Sequence, residues 1–247
     1  MNPKEKAANK EAFRQMSPSK KIDYIRTYYW GPILLAVIAL VVLVTSLYHH
    51  FTKKEQILHT AYANVSIGTA LETVLNHDYL LSRGMDPQKY EILTYRNLYL
   101  SRDPSPQNHE IAYASKLKVL AVINGKKLDF ALMNRESYDI FSESDYLMDL
   151  HELSGQDESL YENLKPLLVE NIVIVEDNAI EVNLNEADAY QAVTKKVVNG
   201  IDLSSISAVK EAGFPDKVYL GIIANTPRLA ECCEYLTYIL SLKEAGA

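Results

Sequence analysis

The dominant hydrophobic pattern lies near the start of the chain, from Trp30 to Tyr48, with no charged residue between Gly31 and Leu47. At about 1.5 Å per helical residue, this run reaches roughly 28 Å, close to the thickness of a bilayer's hydrocarbon core. It is apolar on every face, whereas the helix of a soluble core is usually amphipathic. Tyr28, Tyr29 and Trp30 on one side and Tyr48 on the other are placed like interfacial aromatics. Pro32 sits in the first turn, where its missing N–H costs nothing. The pattern predicts a transmembrane helix over residues 30–48.

Beyond a short juxtamembrane linker, 49–54, the pattern becomes one of short apolar strands alternating with amphipathic helices. Strands are predicted over 56–66, 90–100, 128–133 and 218–224, where β-branched and aromatic residues cluster. Helices are predicted over 69–81, with Gly84 as the stop, and over 108–122, with Asn124-Gly125 as the end. Further helices are expected over 136–141 and 158–169. Ile172–Val175, the turn Glu176-Asp177-Asn178 and Ala179–Val182 predict a β-hairpin. Asn185-Glu-Ala-Asp188 resembles a capping box and predicts a helix to about Val198, closed by Gly200, although Val197–Leu203 also suits a strand. Thr226 and Pro227 open a final helix to about Leu242. The alternation predicts an α/β domain over 55–247, with a mainly parallel sheet flanked by helices and a hairpin-containing insert.

Charge gives this arrangement a direction. Residues 1–29 hold seven basic and three acidic residues, a net +4, and the remainder is −11. The positive-inside rule places this basic tail in the cytoplasm and the C-terminal domain outside. A cleaved signal peptide is the alternative. The apolar run is long for an h-region, however, and Tyr48-His49-His50-Phe51 is not a small-x-small cleavage site. The acidic domain shows no basic patch that would suit nucleic acid.

Two stretches carry a family resemblance. The first is Lys126–Met133 followed by Glu136–Phe141 and Tyr146-Leu-Met-Asp-Leu150. The second is Phe214–Asn225 with the final helix. Together they resemble segments of type 2 extracellular solute-binding proteins. The head, from Lys21 through Trp30-Gly-Pro, is similar to that of small signal-anchored proteins of Gram-positive bacteria bearing such domains. The resemblance implies a periplasmic-binding-protein-like fold and a solute-binding role, and carries over no ligand residues.

Candidate chemistry is sparse. The sequence has no G-x-S-x-G, no H-E-x-x-H and no phosphate-binding glycine loop, so no cofactor and no catalytic residue is assigned. His49-His50 reads as interfacial and His77-Asp78 as a solvated helix face, so no metal site is expected. Cys232 and Cys233 are adjacent in a helix-like run and read as small core residues. The 17 tyrosines suit either a sugar- or peptide-lined groove or half-buried packing. In open α/β sheets, ligands settle beyond the carboxyl ends of parallel strands. That expectation selects Asn64, Arg102, Asn134, Arg135, Asn225 and Thr226, although Asn and Thr at such positions are also ordinary helix caps. Arg102 and Arg135 would suit a carboxylate, as in an acidic solute or a peptide terminus. The readings that follow are a non-catalytic binding module for a small molecule or peptide, an accessory subunit of an envelope complex, and, least favoured, an envelope hydrolase.

Overall fold

The computed structural model describes residues 11, 13–178 and 190–244. The chain divides into two units, Met1–Lys53 and Lys54–Ala247.

In the first unit, α1 covers Pro18–Tyr28 and α2 covers Trp30–Thr52. Within α2, Trp30–Tyr48 is long and apolar enough to cross a membrane, and none of it is buried against the protein. Thr45 turns its hydroxyl back onto the carbonyls of Val41, at 2.8 Å, and Val42, at 3.0 Å, so this polar group is satisfied within the helix. The helix runs on through the expected linker to Thr52, leaving only Lys53 and Lys54 before the next strand.

The second unit is built on a six-stranded sheet among the described residues: β1 Glu55–Ala63, β2 Tyr90–Leu98, β3 Phe130–Met133, β4 Leu168–Asp177, β5 Ala192–Asp202 and β6 Tyr219–Ile222. Their order is β2-β1-β3-β6-β5-β4. β1 pairs in parallel with β2 and β3, whereas the β3–β6, β6–β5 and β5–β4 pairings are antiparallel. The sheet is therefore mixed. Four strands share one direction, and β6 and β4 run against them.

Strand alternation divides the core in two. Leu58, Tyr62, Phe130, Leu132, Leu220 and Ile222 project to one face. There they meet α3 (residues 69–82), α6 (Glu158–Leu164), α7 (Ser207–Glu211) and α8 (Leu229–Glu244). Ala61, Ala63, Ala131, Met133 and Tyr219 project to the other face. α4 (His109–Asn124) and α5 (Arg135–Glu143) cover that side. Gly84, at φ +67°, ends the α3 segment as expected, because a left-handed residue costs glycine little. The middle of α3, Thr73–Asp78, is wound as a π-helix.

Three predicted elements differ. The helix expected from 158 stops at Leu164, because Pro166 follows in a short 3-10 turn, and Leu168 and Val169 already belong to β4. The tight turn expected at 176–178 gives way to strand: Glu176 and Asp177 continue β4 and pair with Val193 and Ala192, and Ile172–Ile174 pairs with Thr194–Lys196. The expected return strand, 179–182, lies outside the described residues. The helix expected to run to Val198 is β5 over its part from Ala192 onward; its start, at 185–189, also lies outside them. A capping box is a local signal. Here the long ladder with β4 and the β-branched Val193, Thr194, Val197 and Val198 outweigh it.

A bulge joins α5 to the antiparallel half of the sheet. Val169 pairs with Gly200 and Glu170 with Val198, so Asn199 is an extra residue on β5. Asn199 is fully buried. Its Oδ1 accepts a hydrogen bond from the Tyr138 hydroxyl at 2.8 Å, and its Nδ2 donates to Ser142 Oγ at 2.8 Å. Ser142 in turn donates to the Ile172 carbonyl at 2.7 Å. The Tyr138 ring stacks on Tyr219 with centroids 4.9 Å apart, and its phenol end packs against Gly200. A Cβ at position 200 would sit 2.5 Å from that ring.

Two stability predictions follow from this packing. Gly200→Ala should lower the unfolding free energy by about 1–3 kcal/mol, as overpacking does in a close-packed interior. Urea titration would show it, and an unchanged midpoint would mean that the ring moves aside freely. Cys232 is fully buried and Cys233 partly so, and neither is in a disulfide. Cys232→Ser should therefore cost about 1–3 kcal/mol and Cys233→Ser less; the reverse ranking in thermal melts would argue against core packing.

Candidate functional site

β1, β2 and β3 run in parallel, so their carboxyl ends share one edge of the sheet, and four of the six predicted residues meet there. Asn64, at φ +54°, turns the chain out of β1. Its side chain clasps the backbone of Leu100, accepting from the N–H at 2.9 Å and donating to the carbonyl at 2.5 Å. Asn134 caps α5, its Oδ1 accepting the Ser137 N–H at 3.0 Å. Glu136 accepts from Ser101 Oγ at 2.7 Å and from the Arg102 N–H at 3.2 Å, tying the loop after β2 to the start of α5.

The two arginines at this edge are already engaged. Arg102 Nη2 lies 2.6 Å from Glu143 Oε1. Arg135 holds Asp139 through Nη2 at 2.9 Å and Nε at 3.2 Å. Its guanidinium also lies over the rings of Tyr138 and Tyr219, at 5.5 and 5.8 Å. A ligand carboxylate would have to displace a resident one at either position.

Two hollows open at this edge. One, of about 560 Å³, lies among Arg102, Asn134, Arg135, Asp139, Lys217 and Tyr219. Lys217 there is paired with Asp202 at 2.7 Å. The other is a groove of about 650 Å³ whose floor and walls include Leu100, Ala112 and Ile140. Its rim carries Ser101, Arg102, His109, Lys116 and Glu143 on one side and Ile174–Asp177 of β4 on the other. This groove combines an apolar floor with convergent polar groups, which is the usual composition of a ligand site.

Asn225 and Thr226 do not belong to this edge. They follow β6, which is antiparallel to β3, so they sit by Asp129, at the amino end of β3. Asp129 and Asn134 bracket β3, roughly 16 Å apart at about 3.3 Å per residue. Asn225 donates to the Ile123 carbonyl at 2.9 Å. Thr226 donates to Asp129 Oδ1 at 2.5 Å and accepts the Arg228 N–H at 3.1 Å.

Asp129 is the group that sequence reading missed. It is fully buried, and its Oδ2 accepts the His59 N–H at 2.7 Å and Arg228 Nε at 2.9 Å. Arg228 also donates to the Lys126 carbonyl at 3.0 Å. An aspartate leading directly into an apolar strand was the available signal, but its partners come from segments far apart in the chain. The His59 ring is buried beside this pair, with Nδ1 3.4 Å from Asp129 Oδ2. Burial, reinforced by the Arg228 charge, pushes its pKa below the ordinary histidine value against the pull of Asp129.

Other sequence candidates separate into exposed and buried groups. His77 and Asp78 are about half exposed and pair with each other at 3.2 Å. Burial raises the Cys232 thiol well above its ordinary value, which keeps it protonated and unreactive. Among the described residues no group of three or more His, Cys, Asp or Glu is placed to hold a metal ion. Set against protein-family models, curated proteins and solved structures, the chain matches none of them.

The Asp129 junction generates two predictions. Asp129→Asn leaves Arg228 without its counter-charge and should cost about 3 kcal/mol, as breaking a buried pair does; a loss below a few tenths in urea titration would make the junction incidental. His59 has a lower pKa folded than unfolded, so the unfolded chain binds more protons as pH falls below about 6.5. The stability His59 contributes is present above that value and is lost on acidification through the folded pKa. His59→Gln should flatten the unfolding free energy between pH 7 and pH 5, and an identical slope in both proteins would contradict this.

Proposed function

We propose that this chain is a single-pass membrane protein, with its basic tail in the cytoplasm, whose extracytoplasmic α/β domain is a non-catalytic binding module of solute-binding-protein type. The observation that carries the reading is the groove of about 650 Å³ beyond the carboxyl ends of the parallel strands. The apolar α2 span and the charge asymmetry around it support the anchoring. The sequence resemblance of residues 126–150 and 214–225 supports the binding type.

The ligand class this reading favours is a small molecule or short peptide that fills the apolar floor and presents polar groups to both walls. A second reading, an accessory subunit of an envelope complex, draws on a different observation. Arg102 and Arg135 are neutralised by the domain's own carboxylates, which weakens their pull on an acidic solute.

Two measurements test the proposal. Protease added to spheroplasts should remove residues after Phe51 and spare the tail, and a protected C-terminal domain would reverse the orientation. Thermal-shift screening of the full chain in detergent against amino acids and short peptides should give a stabilising ligand. A ligand at 100 times its Kd contributes about 2.7 kcal/mol, and Ala112→Trp, which fills the groove floor, should abolish the shift. No stabilising ligand, together with a specific crosslinked membrane partner, would favour the accessory subunit.

A further inference from the structure

The outer face of α4 is apolar where a helix on a soluble domain is normally polar. Tyr113, Leu117 and Leu120 are 61%, 48% and 40% exposed. At about 100° per residue they form one stripe, while Ala112, Ser115, Val119 and Ile123 face the sheet. Lys116 and Lys118 lie to either side of the stripe, and Lys126 and Lys127 follow the helix directly.

Residues 54–247 hold 17 basic and 29 acidic side chains. Each of the five arginines, Arg83, Arg96, Arg102, Arg135 and Arg228, is in an ion pair with a carboxylate. Among the described residues, Lys116, Lys118, Lys126 and Lys127 are in none, as are Lys54, Lys89, Lys195, Lys210 and Lys243 elsewhere on the domain; only Lys165, Lys196 and Lys217 are paired. What sets these four apart is their place: they lie on or just after α4 beside its exposed apolar stripe, with Lys118 Nζ 5.5 Å over the Tyr95 ring and Glu110 as the acidic residue of the first turn.

That composition fits one occupant. Helices that lie in a bilayer interface present an apolar face bordered by lysines, whose stems reach out to the headgroups. Positive charge close to an anionic leaflet is attracted to it. Only Lys53 and Lys54 separate α2 from β1, so the chain itself keeps the domain within reach of any bilayer that α2 crosses. We propose that the outer face of α4, with Lys126 and Lys127, docks on an anionic lipid surface. The proposal rests on the membrane-anchored reading and goes beyond it, because anchoring alone does not say which face of the domain meets the lipid.

The test uses the full chain in nanodiscs of phosphatidylcholine alone or of a roughly 3:1 mixture with phosphatidylglycerol. Co-purification with the discs after a high-salt wash reads the anchoring. Lysine acetylation rates, followed residue by residue by mass spectrometry, read the docking. Lys116, Lys118, Lys126 and Lys127 should be acetylated about threefold or more slowly in the anionic discs, with the exposed Lys195 and Lys210 unchanged. Leu117→Glu, a change at an exposed position, should restore their rates. Equal rates in both lipids would overturn the docking and leave the anchoring intact. Slowing that depends on protein concentration, and persists in detergent, would assign the face to a second copy of the chain and equally overturn it. A chain that fails to stay with the discs would remove both readings together.

Discussion

A buried carboxylate at the amino end of a four-residue strand holds the domain's central elements in register. Asp129 accepts from the β1 backbone at His59 and from Thr226 and Arg228, just ahead of α8, while Arg228 reaches the carbonyl of Lys126 beyond α4. β3 is too short to fix these elements by ladder hydrogen bonds alone. Taking a carboxylate out of water is costly unless its oxygens are hydrogen-bonded, and here both are, Oδ1 by Thr226 and Oδ2 by the His59 N–H and Arg228. Burial, reinforced by the Arg228 charge, pushes the pKa of the neighbouring His59 below its ordinary value, against the pull of Asp129.

The antiparallel half of the sheet depends on a different constraint. Asn199 enters β5 as a bulge, and the interior tolerates its amide because Tyr138 and Ser142 satisfy it from α5. The Tyr138 ring fits only because position 200 has no side chain. α5 therefore links the two halves: it starts at the carboxyl end of β3 and ends against β4. The groove beside it inherits this rigidity. Its rim residues Arg102 and Glu143 are held to each other, and Ser101 and Glu136 fasten the loop to the helix. If the groove takes a ligand as proposed, these fixed walls reduce the ordering cost of binding.

The two surfaces singled out differ in what they offer. The groove presents paired charges over an apolar floor and suits a ligand of mixed polarity. The outer side of α4 presents unpaired lysines around exposed leucine and tyrosine and suits an extended, negatively charged surface. Tyr113 and Lys116 belong to both, so a membrane-seated α4 would place one wall of the groove close to the lipid.

Features with local causes were legible in the sequence alone. The uniform apolarity of residues 30–48, the alternation in 56–63 and 130–133, the glycine stop at 84 and the Asn134 cap are each decided by neighbouring residues. So was the likeness between strand ends that selected Asn64, Arg102, Asn134 and Arg135. Strand direction was not legible, because an apolar run such as Tyr219–Ile222 reads the same whether its neighbour is parallel or antiparallel. That ambiguity moved Asn225 and Thr226 to the opposite end of the sheet from the other four. Residues 192–198 likewise became strand because β4 offered their β-branched residues a ladder, a partner set by tertiary contact. The buried charge at Asp129 and the engagement of Arg102 by Glu143 depend on side chains 99 and 41 residues apart, respectively. Only folding brings such partners within hydrogen-bond reach, and only then does a charged residue become a junction or a rim.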